Sequence, residues 1–218
     1  MKLVLLFISV LIVAALLRKL FRYKTLTPLL PRKYNFGKRR DTLREVLRLL
    51  DERKATTLLE TGVARMGLAK SKGDGASTIV FGLWAKQNDA HLYSVDIDPE
   101  ATKRAGATVD EMGLKDSVTL VTSDSVAYLD EFTDTVDFLY LDSYDYHKSD
   151  VEIQKASQDH HLKEINAIEG CLHDDTVILI DDCDMPNGGK GKLVIEYLAE
   201  NGWKVHMSEY QVILLMQA

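Results

Sequence analysis

The sequence predicts an α/β fold with a doubly wound, mostly parallel sheet, because short apolar runs alternate with stretches typical of helices. Four of these runs end on carboxylates, at Glu60, at Asp96, at Asp142 and at the pair Asp181 and Asp182. Runs of Val, Ile and Leu without polar alternation are typical of parallel strands that are buried on both faces. The carboxyl ends of such strands meet at one edge of the sheet, where ligands bind. Acids are costly there unless a ligand uses them, so the sequence predicts a site for ribose hydroxyls and a divalent cation.

The order of the remaining elements completes the predicted sheet. The predicted strands are Thr56–Glu60, His91–Asp96, Val118–Val121, Val136–Asp142, Val177–Asp182, Trp203–Met207 and Gln211–Met216. The predicted helices are a first one capped by Asp41 and ending near Arg53, followed by Ala76–Lys86, Pro99–Met112, Ser125–Phe132, Val151–Leu172 and Gly191–Asn201. Only a few residues separate the last two strands, which requires a hairpin. The seven-stranded sheet is therefore expected to end with an antiparallel strand.

Composition limits the classes of protein that the chain can belong to. Its 218 residues are 28% charged and 46% hydrophobic, which suits one folded domain with a short extension. The formal net charge of -6 argues against a broad nucleic-acid surface, so no nucleic-acid partner is expected. The two cysteines, Cys171 and Cys183, have neither a CxxC nor a zinc spacing. They are predicted to be free thiols in a reducing compartment.

The amino-terminal residues differ in composition from the rest of the chain. The stretch from Leu3 to Leu17 carries no charge, and a basic cluster that includes Arg18 and Arg40 follows it. We expect a membrane-anchor helix with a basic flank in residues 1–24, a linker in residues 25–40 and the main domain in residues 41–218. A cleaved signal peptide and a helix that lies against protein are the alternatives. The basic flank predicts a membrane-anchored protein whose domain faces the cytoplasm.

A glycine-containing segment follows the first predicted strand. It reads Glu60-Thr61-Gly62 and then, after an apparent insertion over residues 65–72, GDGAST over residues 73–78 before a helix. Glycines allow the backbone to approach a ligand closely, and a helix N-terminus offers free N–H groups. The segment is neither a GxGxxG motif nor a P-loop.

This segment resembles the first motif of the class I S-adenosylmethionine-dependent methyltransferases, and the whole resemblance extends from Glu45 to Gln217. It implies a Rossmann-like sheet and S-adenosylmethionine as the cofactor. An acid at the end of the second strand can accept both ribose hydroxyls, and the end of the third strand is the place of an adenine contact. The expected cofactor-binding residues are Glu60, Gly62, Gly75, Ser77, Asp96, Asp124 and Ser125.

The aspartates that end the fourth and fifth strands give a narrower resemblance. Asp142 together with Asp181 and Asp182 resembles the metal site of the cation-dependent O-methyltransferases of the catechol and the macrolide or sugar type. The resemblance implies Mg²⁺ or another divalent cation, which would hold an acceptor hydroxyl and lower its pKa. Asp145 and His147 follow the fourth strand and are the candidates for the general base.

The expected function is Mg²⁺-assisted methylation of a hydroxyl on a small-molecule or sugar-like acceptor. Two alternatives stay open. Asp96-Ile97-Asp98 is also a DxD sequence, which resembles the metal and sugar-nucleotide site of many glycosyltransferases, among which an N-terminal anchor is common. A non-catalytic module that retains the cofactor fold is the other alternative, since fold alone does not define activity.

Overall fold

The structure is a computed structural model and describes residues 2–22, 26 and 28–217. Its strands are β1 (Thr57–Thr61), β2 (His91–Asp96), β3 (Val118–Thr122), β4 (Val136–Leu141), β5 (Leu172–Ile180), β6 (Trp203–Ser208) and β7 (Val212–Met216). Its α-helices are α1 (Lys2–Arg22), α2 (Arg40–Arg53), α3 (Ser71–Asp74), α4 (Ser77–Gln87), α5 (Pro99–Glu111), α6 (Ser125–Asp130), α7 (Val151–Ile168) and α8 (Lys192–Glu200). Short 3₁₀ turns occupy Gly37–Arg39, Leu68–Lys70, Glu169–Cys171 and Pro186–Gly188.

Among the described residues the strands form one sheet in the order β3-β2-β1-β4-β5-β7-β6. Strands β1 to β5 pair in parallel, and β7 pairs antiparallel with both β5 and β6. The predicted fold class is therefore confirmed, including the antiparallel hairpin at the carboxyl end. The strand order reverses direction between β1 and β4, which makes their carboxyl ends the topological switch point of the sheet.

The apolar strands are buried because helices cover both faces of the sheet. Along β4, Phe138 and Tyr140 pack against α2 and α4, whereas Leu139 and Leu141 pack against α7 and α8 on the opposite face. All four of these side chains have no exposed surface. The absence of polar alternation in the sequence of β4 follows from this double coverage.

The carboxyl ends of β1 and β4 meet at very close range. The amide of Asp142 donates to the carbonyl of Thr61 (2.9 Å). Gly62 has a φ of +88°, and a Cβ on it would lie 2.5 Å from the carbonyl oxygen of Asp142. Only glycine satisfies both conditions, because a side chain would be strained by the dihedral angle and would overlap the neighbouring backbone. Gly62 therefore allows the two strand ends to approach each other at the switch point.

Three predicted boundaries need correction. Strand β5 begins at Leu172 rather than at Val177, and a register shift in its pairing with β4 follows Val136. The helix before it consequently ends at Ile168 as an α-helix. Helix α2 begins at Arg40, so Asp41 lies in its first turn and is not its N-cap.

The segment predicted as a linker contributes to the core. Leu26, Leu30 and Phe36 are 2–3% exposed and belong to the same apolar cluster as α2 and α4. Residues 25 and 27 lie outside the described part of the chain. The segment therefore packs onto the domain and carries the adjoining basic residues Arg39 and Arg40 into buried positions.

The amino-terminal prediction of a membrane anchor is corrected by the structure. Helix α1 covers most of residues 1–24, of which 1, 23 and 24 lie outside the described part, and the larger apolar side chains between Val4 and Leu17 are exposed. Within residues 2–22, 26 and 28–217, no helix has the length and apolar character needed to cross a membrane. The uncharged stretch from Leu3 to Leu17 would span only about 22 Å of a hydrocarbon core of about 30 Å. The predicted membrane-anchored, cytoplasm-facing localisation is therefore wrong.

Candidate active site

A cavity of about 230 Å³ opens at the carboxyl ends of β1, β2 and β3. Residues that follow β1, β2, β3 and β4 line it, together with two residues of β2 and one of α7, and they include four of the predicted cofactor-binding residues. The lining residues are Gly62, Val95, Asp96, Ile97, Asp124, Ser125, Ser143, Tyr144 and His160. We call this space the cofactor cavity.

Two backbone amides orient the carboxylate of Asp96, one from the loop after β1 and one from the loop after β2. Its Oδ2 accepts a hydrogen bond from the amide of Val63 (3.1 Å), and its Oδ1 accepts one from the amide of Asp98 (2.8 Å). Each carboxylate oxygen has two lone-pair sites, so one site on each oxygen is left for a ligand. The arrangement suits a pair of neighbouring hydroxyl groups such as those of a ribose.

Asp124 and Ser125 begin helix α6 at the other wall of the cofactor cavity. Asp124 caps the helix, since its Oδ1 accepts from the amide of Ala127 (3.0 Å). The hydroxyl of Ser125 shares a hydrogen bond with Nε2 of His160 (3.0 Å), which also lies 3.4 Å from a carboxylate oxygen of the buried Glu164. His160 thus belongs to the wall of the cofactor cavity.

Glu60 is fully buried beneath the loop that follows β1. Its Oε2 accepts from the hydroxyls of Ser94 (2.6 Å) and Thr78 (2.7 Å). Its Oε1 has no hydrogen-bond partner within the described part of the chain. Burial raises the pKa of Glu60 to about 7. A buried carboxylate oxygen without a partner fits a cofactor that brings its own donor, such as an amino group.

The raised pKa of Glu60 makes stability depend on pH. The unfolded chain releases this proton near pH 4.5, while the folded protein retains it up to about pH 7. The folded state therefore binds more protons in this range, and the free energy of unfolding falls as pH rises from about 4.5 to about 7. The loss is of the order of 3 kcal/mol, at about 1.4 kcal/mol per pH unit. Denaturant titrations of the cofactor-free protein across this range measure it.

Glu60→Gln should remove most of this slope, because the amide does not titrate. Glu111→Gln is the matched control, since Glu111 is an exposed residue at the end of α5. Equal slopes in the wild type and in Glu60→Gln would contradict the prediction.

Asp142, Asp181 and Asp182 come together, as the sequence resemblance implies. Their carboxylates supply three ligand atoms that lie within 4.8 Å of one another. Asp181 is buried, whereas Asp142 and Asp182 are partly exposed. Two cations of the chain, Arg39 and Lys190, lie among these carboxylates. We call the five residues the aspartate cluster.

Arg39 reaches Asp181 from the turn before α2. Its Nε donates to Oδ1 (2.8 Å) and Oδ2 (3.1 Å) of Asp181, and its Nη2 donates to Oδ2 (2.5 Å) and to Oδ1 of Asp182 (3.4 Å). Gly73 holds the other side of the guanidinium, because its carbonyl accepts from Nη1 (3.1 Å). Burial by itself would lower the pKa of Arg39, but the hydrogen bonds and charge of Asp181 raise it.

Lys190 reaches Asp142 from the loop after β5. Its Nζ lies 2.6 Å from Oδ1 of Asp142 and 3.6 Å from Oδ2 of Asp182. The residue is 2% exposed. Burial by itself would lower the pKa of Lys190, but the charges of Asp142 and Asp182 raise it.

Tyr210 contacts the aspartate cluster from the turn between β6 and β7. Its hydroxyl donates to Oδ1 of Asp182, and its ring lies 4.7 Å from the guanidinium carbon of Arg39. Burial and the hydrogen bond to Asp182 raise the pKa of Tyr210. The tyrosine therefore stays protonated and acts as a hydrogen-bond donor at neutral pH.

A second and larger cavity, of about 740 Å³, opens on the side of the cluster where Arg39 and Tyr210 lie. Its lining is rich in basic side chains. The lining residues are Asn35, Gly37, Lys38, Arg39, Arg40, Lys72, Gly73, Lys148, Asp184, Met185, Pro186 and Tyr210. We call this space the acceptor cavity.

Eight of the predicted site residues are outside the lining of both cavities. Four of them, Glu60, Asp142, Asp181 and Asp182, are described above. Gly75 packs against Arg39, since a Cβ on it would lie 3.3 Å from Cδ of that arginine. Ser77 is buried at the start of α4. Asp145 and His147 are exposed, and Asp145 pairs with Arg65 at 3.5 Å. The assignment of Asp145 and His147 as catalytic bases stays a prediction.

Sequence reasoning missed the three residues that surround the aspartates. In the sequence Arg39 belongs to the basic cluster near the amino terminus, the loop lysines Lys190 and Lys192 suit either an anionic acceptor or solvent, and Tyr210 belongs to no motif. One signal was available for Lys190, because the sequence Asn187-Gly188-Gly189-Lys190 places two glycines directly before a lysine. Paired glycines are typical of a tight turn, and such a turn gives a lysine a fixed position.

Comparisons with known proteins agree with this fold. The model of the methyltransferase 24 family, described as a methyltransferase domain, matches residues 72–183, just over half of the chain. A structure from Staphylococcus aureus assigned as a caffeoyl-CoA O-methyltransferase superposes with a TM-score of 0.60 at 12% identity, covering 85% of this chain and 87% of that one. Podospora anserina methyltransferase PaMTH1, with bound S-adenosylhomocysteine, gives 0.58 at 13%, covering 81% and 78%. A search of curated proteins finds no significant match.

The strand order is that of a class I methyltransferase, an enzyme that uses S-adenosylmethionine as its methyl donor. The chain belongs to the methyltransferase 24 family.

Proposed function

We propose that this enzyme transfers the methyl group of S-adenosylmethionine to a hydroxyl oxygen of a small-molecule acceptor. The observation that carries the proposal is the position of the aspartate cluster relative to the two cavities. Gly62, which lies against the backbone of Asp142, and Ser143, which follows Asp142 in sequence, both line the cofactor cavity. Arg39 and Tyr210, which contact the other two aspartates, line the acceptor cavity.

The cofactor would lie along the carboxyl ends of β1, β2 and β3. The free lone pairs of Asp96 suit its ribose hydroxyls, and the unpartnered Oε1 of Glu60 suits the amino group of its methionine part. Asp124, Ser125 and His160 would surround the adenine ring of the cofactor. In the reaction the acceptor oxygen forms a bond to the methyl carbon, and the electron pair of the breaking S–C bond goes to sulfur. The hydroxyl proton leaves to water in the open acceptor cavity.

The acceptor cavity favours a molecule that carries an acidic group beside its hydroxyl. Lys72 and Lys148 line the cavity, and neither has an ion pair within the described part of the chain. Asp184, by contrast, is already paired with Lys38 at 2.7 Å. Uncompensated cations at a cavity wall raise the local concentration of anionic ligands. Release of S-adenosylhomocysteine, compared between hydroxyl compounds with and without a carboxylate or phosphate, tests this preference.

The metal that the sequence resemblance implies does not fit the cluster as it is built. Asp181 binds Arg39 through both oxygens, and Asp142 binds Lys190. The proposed reaction therefore includes no step that uses a metal ion.

The glycosyltransferase alternative has less support. The second acid of the DxD sequence, Asp98, caps α5, since its Oδ1 accepts from the amide of Glu100 (2.9 Å). Its side chain is outside the lining of both cavities. Asp98 therefore has a structural role that requires no sugar nucleotide.

Calorimetric titration with S-adenosylmethionine, S-adenosylhomocysteine and a UDP-sugar tests the cofactor half of the proposal. We expect micromolar binding of both adenosyl ligands and none of the UDP-sugar. Asp96→Asn should weaken adenosyl binding by about 10- to 100-fold, because a hydrogen bond to a charged group contributes about 1.5–3 kcal/mol. The reverse pattern, with heat from the UDP-sugar alone, would refute the proposal.

Asp98→Asn is the matched control, two residues away on the same loop. An asparagine preserves the capping function, so this variant should bind both adenosyl ligands as the wild type does. Circular dichroism of both variants checks that a loss of binding is not a loss of fold.

A further inference from the structure

We propose that Lys190 and Arg39 take the place of a divalent metal ion in the aspartate cluster, so that the folded enzyme excludes Mg²⁺ from it. The three aspartates have the number and spacing of ligands that a cation site needs. In the structure, however, the side chains of Arg39 and Lys190 already contact these carboxylates.

Every carboxylate oxygen of the three aspartates already faces a donor. On Asp142, Oδ1 meets Lys190 and Oδ2 accepts from the hydroxyl of Tyr140 (3.2 Å). Both oxygens of Asp181 are bound by Arg39. On Asp182, Oδ1 accepts from the hydroxyl of Tyr210, and Oδ2 lies 3.6 Å from Nζ of Lys190. A metal ion would have to replace several of these contacts at once.

The loop that carries Lys190 is built to hold its ammonium in this position. Gly189 has a φ of +60°, and a Cβ on it would lie 1.9 Å from the carbonyl oxygen of Asp182. Gln158 on α7 fixes the same turn, because its Nε2 donates to the carbonyls of Asn187 (3.1 Å) and Gly189 (2.9 Å). The lysine is therefore positioned by buried backbone contacts and does not reach the cluster through a flexible surface loop.

Displacing Lys190 would be unfavourable in itself. The residue is 2% exposed, so an ammonium group that lost Asp142 and Asp182 to a metal ion without leaving the interior would be a buried charge without a partner. Three carboxylates with Lys190 and Arg39 carry a net charge of −3 + 2 = −1, which is much less attractive to a dication than three free carboxylates. Metal exclusion follows from charge and from the occupied oxygens together.

Electron paramagnetic resonance of Mn²⁺, titrated into the cofactor-free full chain, tests the inference. The wild type should leave the signal of free Mn²⁺ unchanged at millimolar metal, and its Tm should not respond to Mg²⁺. Lys190→Met removes the ammonium and keeps a side chain of similar length. This variant should bind one Mn²⁺ per chain, and Mg²⁺ should recover part of its lowered Tm.

Lys192→Met is the matched control, because Lys192 is exposed at the start of α8, two residues further along. It should behave as the wild type. Micromolar Mn²⁺ binding by the wild type that is lost in Asp142→Asn would overturn the inference, as would a folded Lys190→Met variant that binds no metal. If Lys190→Met does not fold, the wild-type titration still decides. Neither cofactor nor acceptor enters the experiment, so its outcome is independent of the proposed function.

Discussion

Arg39→Met should lower the free energy of unfolding by about 3–5 kcal/mol, the usual cost of breaking a buried ion pair from one side. The substitution removes three hydrogen bonds to Asp181 and leaves that carboxylate fully buried without a cation beside it. Denaturant titration at neutral pH measures the change.

Lys38→Met provides the comparison for Arg39→Met. Lys38 is the preceding residue and pairs with Asp184, but both side chains are mostly exposed, so little change in stability is expected. The double variant Arg39→Met with Asp181→Asn should be more stable than Arg39→Met alone, because the uncompensated charge is gone. Equal effects of the Lys38 and Arg39 substitutions would mean that the buried pair does not stabilise the fold.

Gly189→Ala should be nearly as damaging, for a steric reason. Gly189 has a φ of +60° and a ψ of −159°, a backbone region that is essentially restricted to glycine and costs other residues about 1–3 kcal/mol. The added Cβ would also overlap the carbonyl of Asp182 and approach Cα of Cys183 to 2.8 Å, and such overpacking costs about 1–3 kcal/mol. We expect a loss of stability of roughly 2–6 kcal/mol from the two effects. The turn would also shift Lys190 away from Asp142.

Gly170→Ala is a suitable control for this substitution, since a Cβ at that position meets no atom within 4 Å and the φ is ordinary. Its effect should stay within about 0.5 kcal/mol. Thermal unfolding of the two variants, followed by circular dichroism, separates a steric effect at Gly189 from a general effect of replacing glycine by alanine.

Local patterns in the sequence were sufficient to predict most of the fold. The apolar runs of β1, β2 and β4 predicted parallel strands because both faces of the sheet are covered. The apolar pattern did not predict that β5 begins at Leu172, because His173, Asp174 and Asp175 interrupt the apolar run. In the structure these residues continue the strand at its exposed end, where polar side chains meet water.

The ligand-facing acids were predicted for a topological reason, since strands that run in parallel bring their last residues to one edge. The counterions of the aspartates could not be found in this way. Arg39 and Asp181 are 142 positions apart, and neither periodicity nor spacing connects a turn before the first strand with the end of the fifth. Lys190 lies near Asp182 in sequence, but burial of a lysine depends on the turn geometry of Gly189 and on Gln158, both of which are tertiary features.

The long separation of Arg39 from Asp181 also makes the acceptor cavity depend on a distant part of the chain. Leu26, Leu30 and Phe36 are buried in the same apolar cluster as α2 and α4, and they hold the segment that brings the guanidinium of Arg39 to Asp181. Residues 35 and 37–40 of that segment also line one wall of the acceptor cavity. The apolar contacts of the amino-terminal segment therefore determine the shape of the acceptor cavity, although none of these three apolar side chains lines it.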